Sequence, residues 1–192
     1  MYVIIITALV LILCLYNWYD GYTNNSSEVA YVKSTYDGNM YLVRNLPDKV
    51  EAANMLARLR EKMTALVQHM HAVNPTRKTK KMLRRYKPAN IYETTDTSKY
   101  TSYNINKGQK IVFCIRQKDD NSIIDFNTLY FVALHELTHI ITRSVGHKKE
   151  FWANFREILK FAIDNKYYTY VSYAQHPKKY CGIMITDTPY NL

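Results

Sequence analysis

The residues with the clearest chemical potential are His135, Glu136 and His139, in the run HELTH. On a helix, positions four apart share a face, so both imidazoles project to one side about one turn apart. Two neutral ring nitrogens so placed can reach one zinc ion at about 2.0–2.1 Å each. Glu136 points toward the adjoining edge of such a site. There it can take a proton from an attacking water and later pass it to a leaving amine. The pattern is HExxH, and the chemistry it implies is zinc-assisted hydrolysis of a peptide bond. The bland alternative is two histidines and an incidental glutamate on an amphipathic helix. The surrounding run, Asp125 to Arg143, reads DFNTLYFVALHELTHIITR, a helix that Asp125 or Asn127 can cap.

A catalytic zinc takes three protein ligands and keeps one position open. The third must come from beyond His139. Thr142 and Val145 stand where a metzincin would have its glycine and third histidine. His147 is the best candidate, because Gly146 can end the helix in a left-handed turn and reverse the chain. Glu150 and Glu157 are the alternatives. A tyrosine near the metal could donate to the tetrahedral oxyanion, and Tyr173 or Tyr180 could serve. Core packing by amphipathic aromatics competes with that role. His69 and His71, two apart, diverge on a helix and make a poor pair. His176 precedes Pro177 and reads as a loop residue.

These residues need elements to hold them. Lys148 to Asp164 predicts a helix with Phe151, Phe155, Ile158, Leu159 and Ala162 on its apolar face. A long helix is predicted from about Pro47 to Val73, with Asn45 as cap and Val50, Ala53, Leu56, Leu59, Met63, Leu66, Val67 and Met70 as its stripe. Ser102 to Ile105 and Lys110 to Arg116 predict two paired strands joined by the Asn106-Lys107-Gly108 turn. Extended substrate can bind such a strand through main-chain hydrogen bonds.

The chain has 192 residues, a formal net charge of +10 and 18 tyrosines. A basic balance favours anionic partners. The basic residues concentrate in RKTKKMLRRYK, Arg77 to Lys87, read as a solvated loop or face, with nucleic acid or lipid headgroups as its possible partner. Three cysteines are too few for a disulfide framework, and no CxxC pair offers a thiolate zinc site. One bridge between Cys114 and Cys181 is compatible with an oxidising compartment. Residues 1–19 carry no charged side chain and have aromatics at both ends, which predicts a transmembrane anchor in the lipid bilayer. Residues 20–40 read as a polar linker in which Asn24 and Asn25 open glycosylation sequons.

The stretch HELTHIITRSVGHKKEFW resembles minimal zinc peptidases of the Wss1-like (WLM) and SprT-like group, which carry HExxH, a short segment, and then a histidine before a Phe-Trp or Phe-Tyr pair. A longer pattern is similar to the metallopeptidases of large double-stranded DNA viruses. It comprises Val43 to Asp48, Asn106-Lys107-Gly108, Asn127-Thr128-Leu129, Val132 to Leu137 and Tyr180-Cys181-Gly182. The resemblance implies zinc ligands His135, His139 and His147, with Glu136 as general base. His139 and His147 lie further apart than is usual in the WLM pattern, so the turn between them must be longer.

Together these observations predict an α+β, zincin-like metallopeptidase domain over residues 41–192, behind one transmembrane helix. The expected cofactor is zinc and the expected substrate a protein or peptide. The expected place is a single-pass membrane protein of a virion or virus-modified membrane, beside other virion proteins. The rival class is a non-enzymatic virion membrane protein with a structural zinc site and a basic tethering surface.

Overall fold

A computed structural model describes residues 6–7, 9–16 and 28–191. Its first sheet is a hairpin of β1 (Val29–Lys33) and β2 (Met40–Arg44), with Val29 opposite Arg44. Strand β1 lies inside the stretch expected to be a polar linker, so that expectation is corrected from Val29 onward. Its burial is uneven, with Val32 covered and Tyr31 exposed, which left little apolar patterning to read.

Helix α1 (Lys49–Val73) buries Leu56, Leu59, Met63, Leu66 and Val67 along one stripe, as the spacing predicts. Its start differs from expectation. Asn45 does not cap it; the Asn45 side-chain oxygen accepts from Lys49 Nζ at 2.9 Å. Asp48 occupies the cap position without a side-chain cap bond, because its carboxylate is engaged by Arg116.

The basic run, read as a solvated loop or face, is helix α2 (Arg77–Arg85). The Thr76 hydroxyl accepts from Thr79 N, and Met82 is buried while α2 packs on α1 and α3. Two of its lysines have partners within the chain. Lys78 pairs with Glu157 at 2.7 Å, and Lys81 Nζ donates to the Ile141 carbonyl at 3.0 Å.

Three short strands follow: β3 (Ile91–Glu93), β4 (Ser102–Ile105) and β5 (Lys110–Phe113). Their order is β3-β5-β4, with β3 parallel and β4 antiparallel to β5, so β4 is an edge. The predicted turn is present: Asn106, Lys107 and Gly108 have φ of 50°, 52° and 108°. A Cβ on Gly108 would lie 2.7 Å from the Arg85 carbonyl oxygen, so the end of α2 admits only glycine there.

Helix α3 (Phe126–Ile141) is the central element, and Asp125 caps it by accepting from Thr128 N at 3.0 Å. It is buried on most sides, with Leu129, Ala133, Leu134, Leu137 and Ile140 fully covered. Helix α4 (Lys149–Asp164) packs against it through Phe151, Phe155 and Ile158. A hairpin of β6 (Lys178–Tyr180) and β7 (Ile183–Ile185) and a 3₁₀ turn (Pro189–Asn191) complete the fold. The hairpin turns on Cys181 and Gly182, both at positive φ (50° and 81°), as a two-residue turn of matching twist requires. Cys181 is bridged to Cys114, closing a loop of 67 residues. Such a cross-link stabilises by about 2–4 kcal/mol.

The single-pass placement is corrected. Among the described residues, no helix is long and apolar enough to cross a membrane. The helical residues described within 1–19 are 6–7 and 9–16. The rest of 1–19, and both sequons at Asn24 and Asn25, lie outside the described residues.

Candidate metal centre

Helix α3 presents His135 and His139 on one face, one turn apart, at the floor of an open cleft of about 1160 Å³. The chain leaves α3 at Thr142 in extended conformation and crosses five residues before His147. Gly146 is left-handed, with φ of 76°. The helix therefore ends at Ile141, earlier than a cap at Gly146 would imply. The glycine instead turns the loop that returns His147 to the cleft.

The three rings meet. His135 Nε2 lies 3.2 Å from His139 Nε2 and 2.9 Å from His147 Nε2. A tetrahedral zinc with bonds of about 2.0–2.1 Å would hold its ligand atoms roughly 3.3 Å apart. The spacing fits one ion, and the donor set of three neutral imidazoles suits zinc. Phe151 supports all three rings, with centroid distances of 4.7, 4.5 and 4.6 Å to His135, His139 and His147. Glu150 and Glu157, the alternative third ligands, are engaged elsewhere. Glu150 accepts from Arg143 N and Ser144 N, and Glu157 pairs with Lys78.

Glu136 is buried against the cleft, and its Oε2 has no hydrogen-bond partner. Burial pushes its carboxyl up to about 8. A dication alongside would draw it down again. Burial also lowers the imidazoles, His135 to about 3 and His139 to about 4, with the neighbouring rings adding to the effect. Burial lowers His147 as well, so the site favours the neutral rings that ligands must be.

These directions predict how the metal-free protein responds to pH. In the fold His135 and His139 stay neutral, whereas an unfolded histidine binds a proton below its ordinary 6.5. Unfolding takes up those protons, so stability falls as pH drops through that range. Glu136 opposes this: the fold keeps its proton up to about 8, while the unfolded group loses it above 4.5. Below pH 6 these two histidines outweigh one carboxyl. Thermal denaturation in excess chelator should show Tm falling from pH 6.5 to pH 5. A Tm that rises over that interval would contradict these assignments.

The two tyrosines considered for oxyanion donation separate. Tyr173 is in the core, bonded to the Tyr168 hydroxyl at 3.1 Å and packed on Phe131; it does not line the cleft. Tyr180 does line it, and its hydroxyl is 2.6 Å from Ser102 Oγ. His69 packs on Phe161 and Tyr167, away from the cleft.

Several residues hold the site through contacts that the motifs do not show. Asn104 Nδ2 donates to the Glu136 carbonyl at 3.0 Å, and its oxygen accepts from Gly108 N at 2.6 Å, tying β4 and its turn to α3. Phe151 stands in the sequence as an apolar position of α4 and in the Phe-Trp pair, which do not show that it carries all three rings. Lys107 and Lys81 reach the carbonyls at the end of α3. Contacts of this kind link residues far apart in the chain, which no local pattern encodes.

The fold and cleft define a metallopeptidase-like domain of mixed α+β architecture. Residues 35–187 match the WLM domain, and the chain belongs to that family. Its relatives include an uncharacterized protein of Acanthamoeba polyphaga mimivirus, 32% identical over 84% of each chain. Another, from Invertebrate iridescent virus 3, is 38% identical over 43% of this chain and 50% of its own. Among solved structures, a Wss1 mutant from Saccharomyces cerevisiae shares the fold. Its TM-score is 0.50 at 21% identity, over 65% of this chain and 89% of that one.

Proposed function

We propose that the cleft is the active site of a zinc-dependent peptidase, with His135, His139 and His147 as the metal ligands. The supporting observation is the meeting of three neutral imidazole nitrogens beside a buried carboxylate oxygen without a partner. Bound there, zinc supplies a Lewis acid that lowers the pKa of water and polarises a carbonyl. Glu136 accepts the proton of the attacking water and delivers it to the departing amine. A structural zinc site has no need of such a carboxylate, which sets the enzymatic reading above the tethering one.

The substrate is an extended polypeptide segment. Edge strand β4 lines the cleft through Ser102, Tyr103 and Asn104, and the segment pairs with it by main-chain hydrogen bonds. Trp152, Ile183, Met184 and Val145 are exposed apolar residues that also line the cleft. Exposed apolar surface gathered at a cleft favours bulky apolar side chains in the bound segment. In this reading Tyr180, which lines the cleft, is the donor to the oxyanion. The viral relatives support a viral origin for the enzyme.

The test is cleavage of an unfolded protein such as casein, followed by mass spectrometry of the fragments. Activity should vanish on chelation, return with zinc, and leave cuts concentrated beside large apolar residues. Zinc-independent cleavage, or none at all, would overturn the assignment.

A further inference from the structure

His147 differs from its two companions in what holds it. His135 and His139 sit on a buried helix, while His147 is exposed and follows the loop 142–146. That loop has little packing of its own. Val145 is 84% exposed, and a Cβ added to Gly146 would meet nothing within 4 Å. Its backbone is instead fastened from two sides. Lys107 Nζ donates to the carbonyls of Thr142 and Arg143, both at 2.6 Å, with that of Ser144 at 3.4 Å. Glu150 receives the amides of the same segment, Arg143 N at 3.1 Å and Ser144 N at 3.2 Å. At the loop's start, buried Asn154 donates to Thr142 Oγ at 3.0 Å.

We infer that Lys107 and Glu150 are positioning residues for the third metal ligand: together they hold the loop that sets where His147 stands. Two consecutive peptide units are gripped by a cation on their carbonyls and a carboxylate on their amides. Each contact is charge-assisted, and so stronger than a neutral hydrogen bond. The grip is itself anchored. Lys107 lies in the left-handed turn whose Gly108 is pressed against the Arg85 carbonyl, and Asn104 ties that turn to α3. The two fixed ligands and the loop-borne one are thereby referred to the same framework. The ammonium also completes the end of α3, where carbonyls lack helical partners and the helix dipole favours a cation. Neither residue touches the metal position, so each acts through His147.

This inference rests on the zinc assignment, and the experiment separates the two. Zinc affinity of the full chain is measured by competition with a chromogenic chelator, and cobalt is substituted to record its visible absorption spectrum. Lys107→Met and Glu150→Gln are each expected to weaken zinc by about 10–100-fold, as loss of an outer-shell partner typically does. Both should shift the cobalt spectrum toward that of His147→Ala. Lys107→Arg, which keeps the charge and donors, should recover most of the affinity. In the His147→Ala background, Lys107→Met should add no further loss, an outcome that a merely structural role would not produce. Glu150→Gln alters an exposed side chain, so it tests the idea even if Lys107→Met fails to fold. A wild-type chain that takes up no zinc overturns the metal site itself. Tight zinc binding in the wild type, with affinity and cobalt spectrum unchanged in Glu150→Gln, overturns the positioning role.

Discussion

Glu136→Gln should retain zinc and lose peptide cleavage by about 10²–10⁴-fold, the range for removing a general acid–base group. The amide has nearly the same volume, so the wall of the cleft keeps its shape. None of the three imidazoles depends on the Glu136 side chain, because they converge through α3, the following loop and Phe151. What disappears is the ability to take a proton. Stability supplies an independent check. Burial raises the carboxyl to about 8, so ionising it above that pH costs folding free energy that a neutral amide does not incur. The variant should therefore be at least as stable as the wild type at pH 9, measured without metal. Retained cleavage with zinc bound would remove Glu136 from the mechanism.

Arg116→Met should cost about 3–5 kcal/mol of stability, the range for breaking a buried ion pair by deleting one partner. Arg116 is 2% exposed and donates through Nε to Glu93 Oε1 at 2.8 Å. It also meets Asp48 at the start of α1. Glu93 in turn accepts from Arg44 N at 2.7 Å. One guanidinium thus joins the first hairpin, the long helix and the central sheet. The variant leaves Glu93 buried with a single backbone donor. Burial already holds that carboxyl above its ordinary value despite the arginines beside it. Protonation relieves the unpaired charge, so the deficit should shrink as pH falls toward 5. Replacing Glu93 by Met as well should recover much of the loss. Urea denaturation of the three proteins decides it; a deficit under about 1 kcal/mol for Arg116→Met would show the network to be peripheral.

The elements nearest the chemistry were the most legible in the residues themselves. Helix α3 has strong apolar periodicity, a carboxylate cap and HExxH within sixteen residues. Helix α4, strands β4 and β5 and their glycine turn also stand where spacing and turn residues put them. The helix in Arg77 to Lys87 was hidden because only Thr79 and Met82 are buried, leaving charge as its visible character. The β6–β7 hairpin was hidden because its strands are three residues each, and β1–β2 because β1 follows directly on a polar stretch. Apolar composition misled at the N-terminus, where hydropathy alone suggested a span that no described helix provides. Within the site, residue type and spacing marked His135, Glu136, His139 and His147. Lys107, Asn104 and Phe151 act through tertiary contacts, so residue type and spacing do not show those roles.

Metal content tests the central claim most directly. The full chain, produced with zinc present and freed of loosely bound ions, should carry one zinc per molecule by elemental mass spectrometry. His147→Ala should lose most of it under the same treatment, and His135→Ala all of it. A wild-type chain without zinc, or equal zinc in wild type and His147→Ala, would contradict a centre built from three imidazoles.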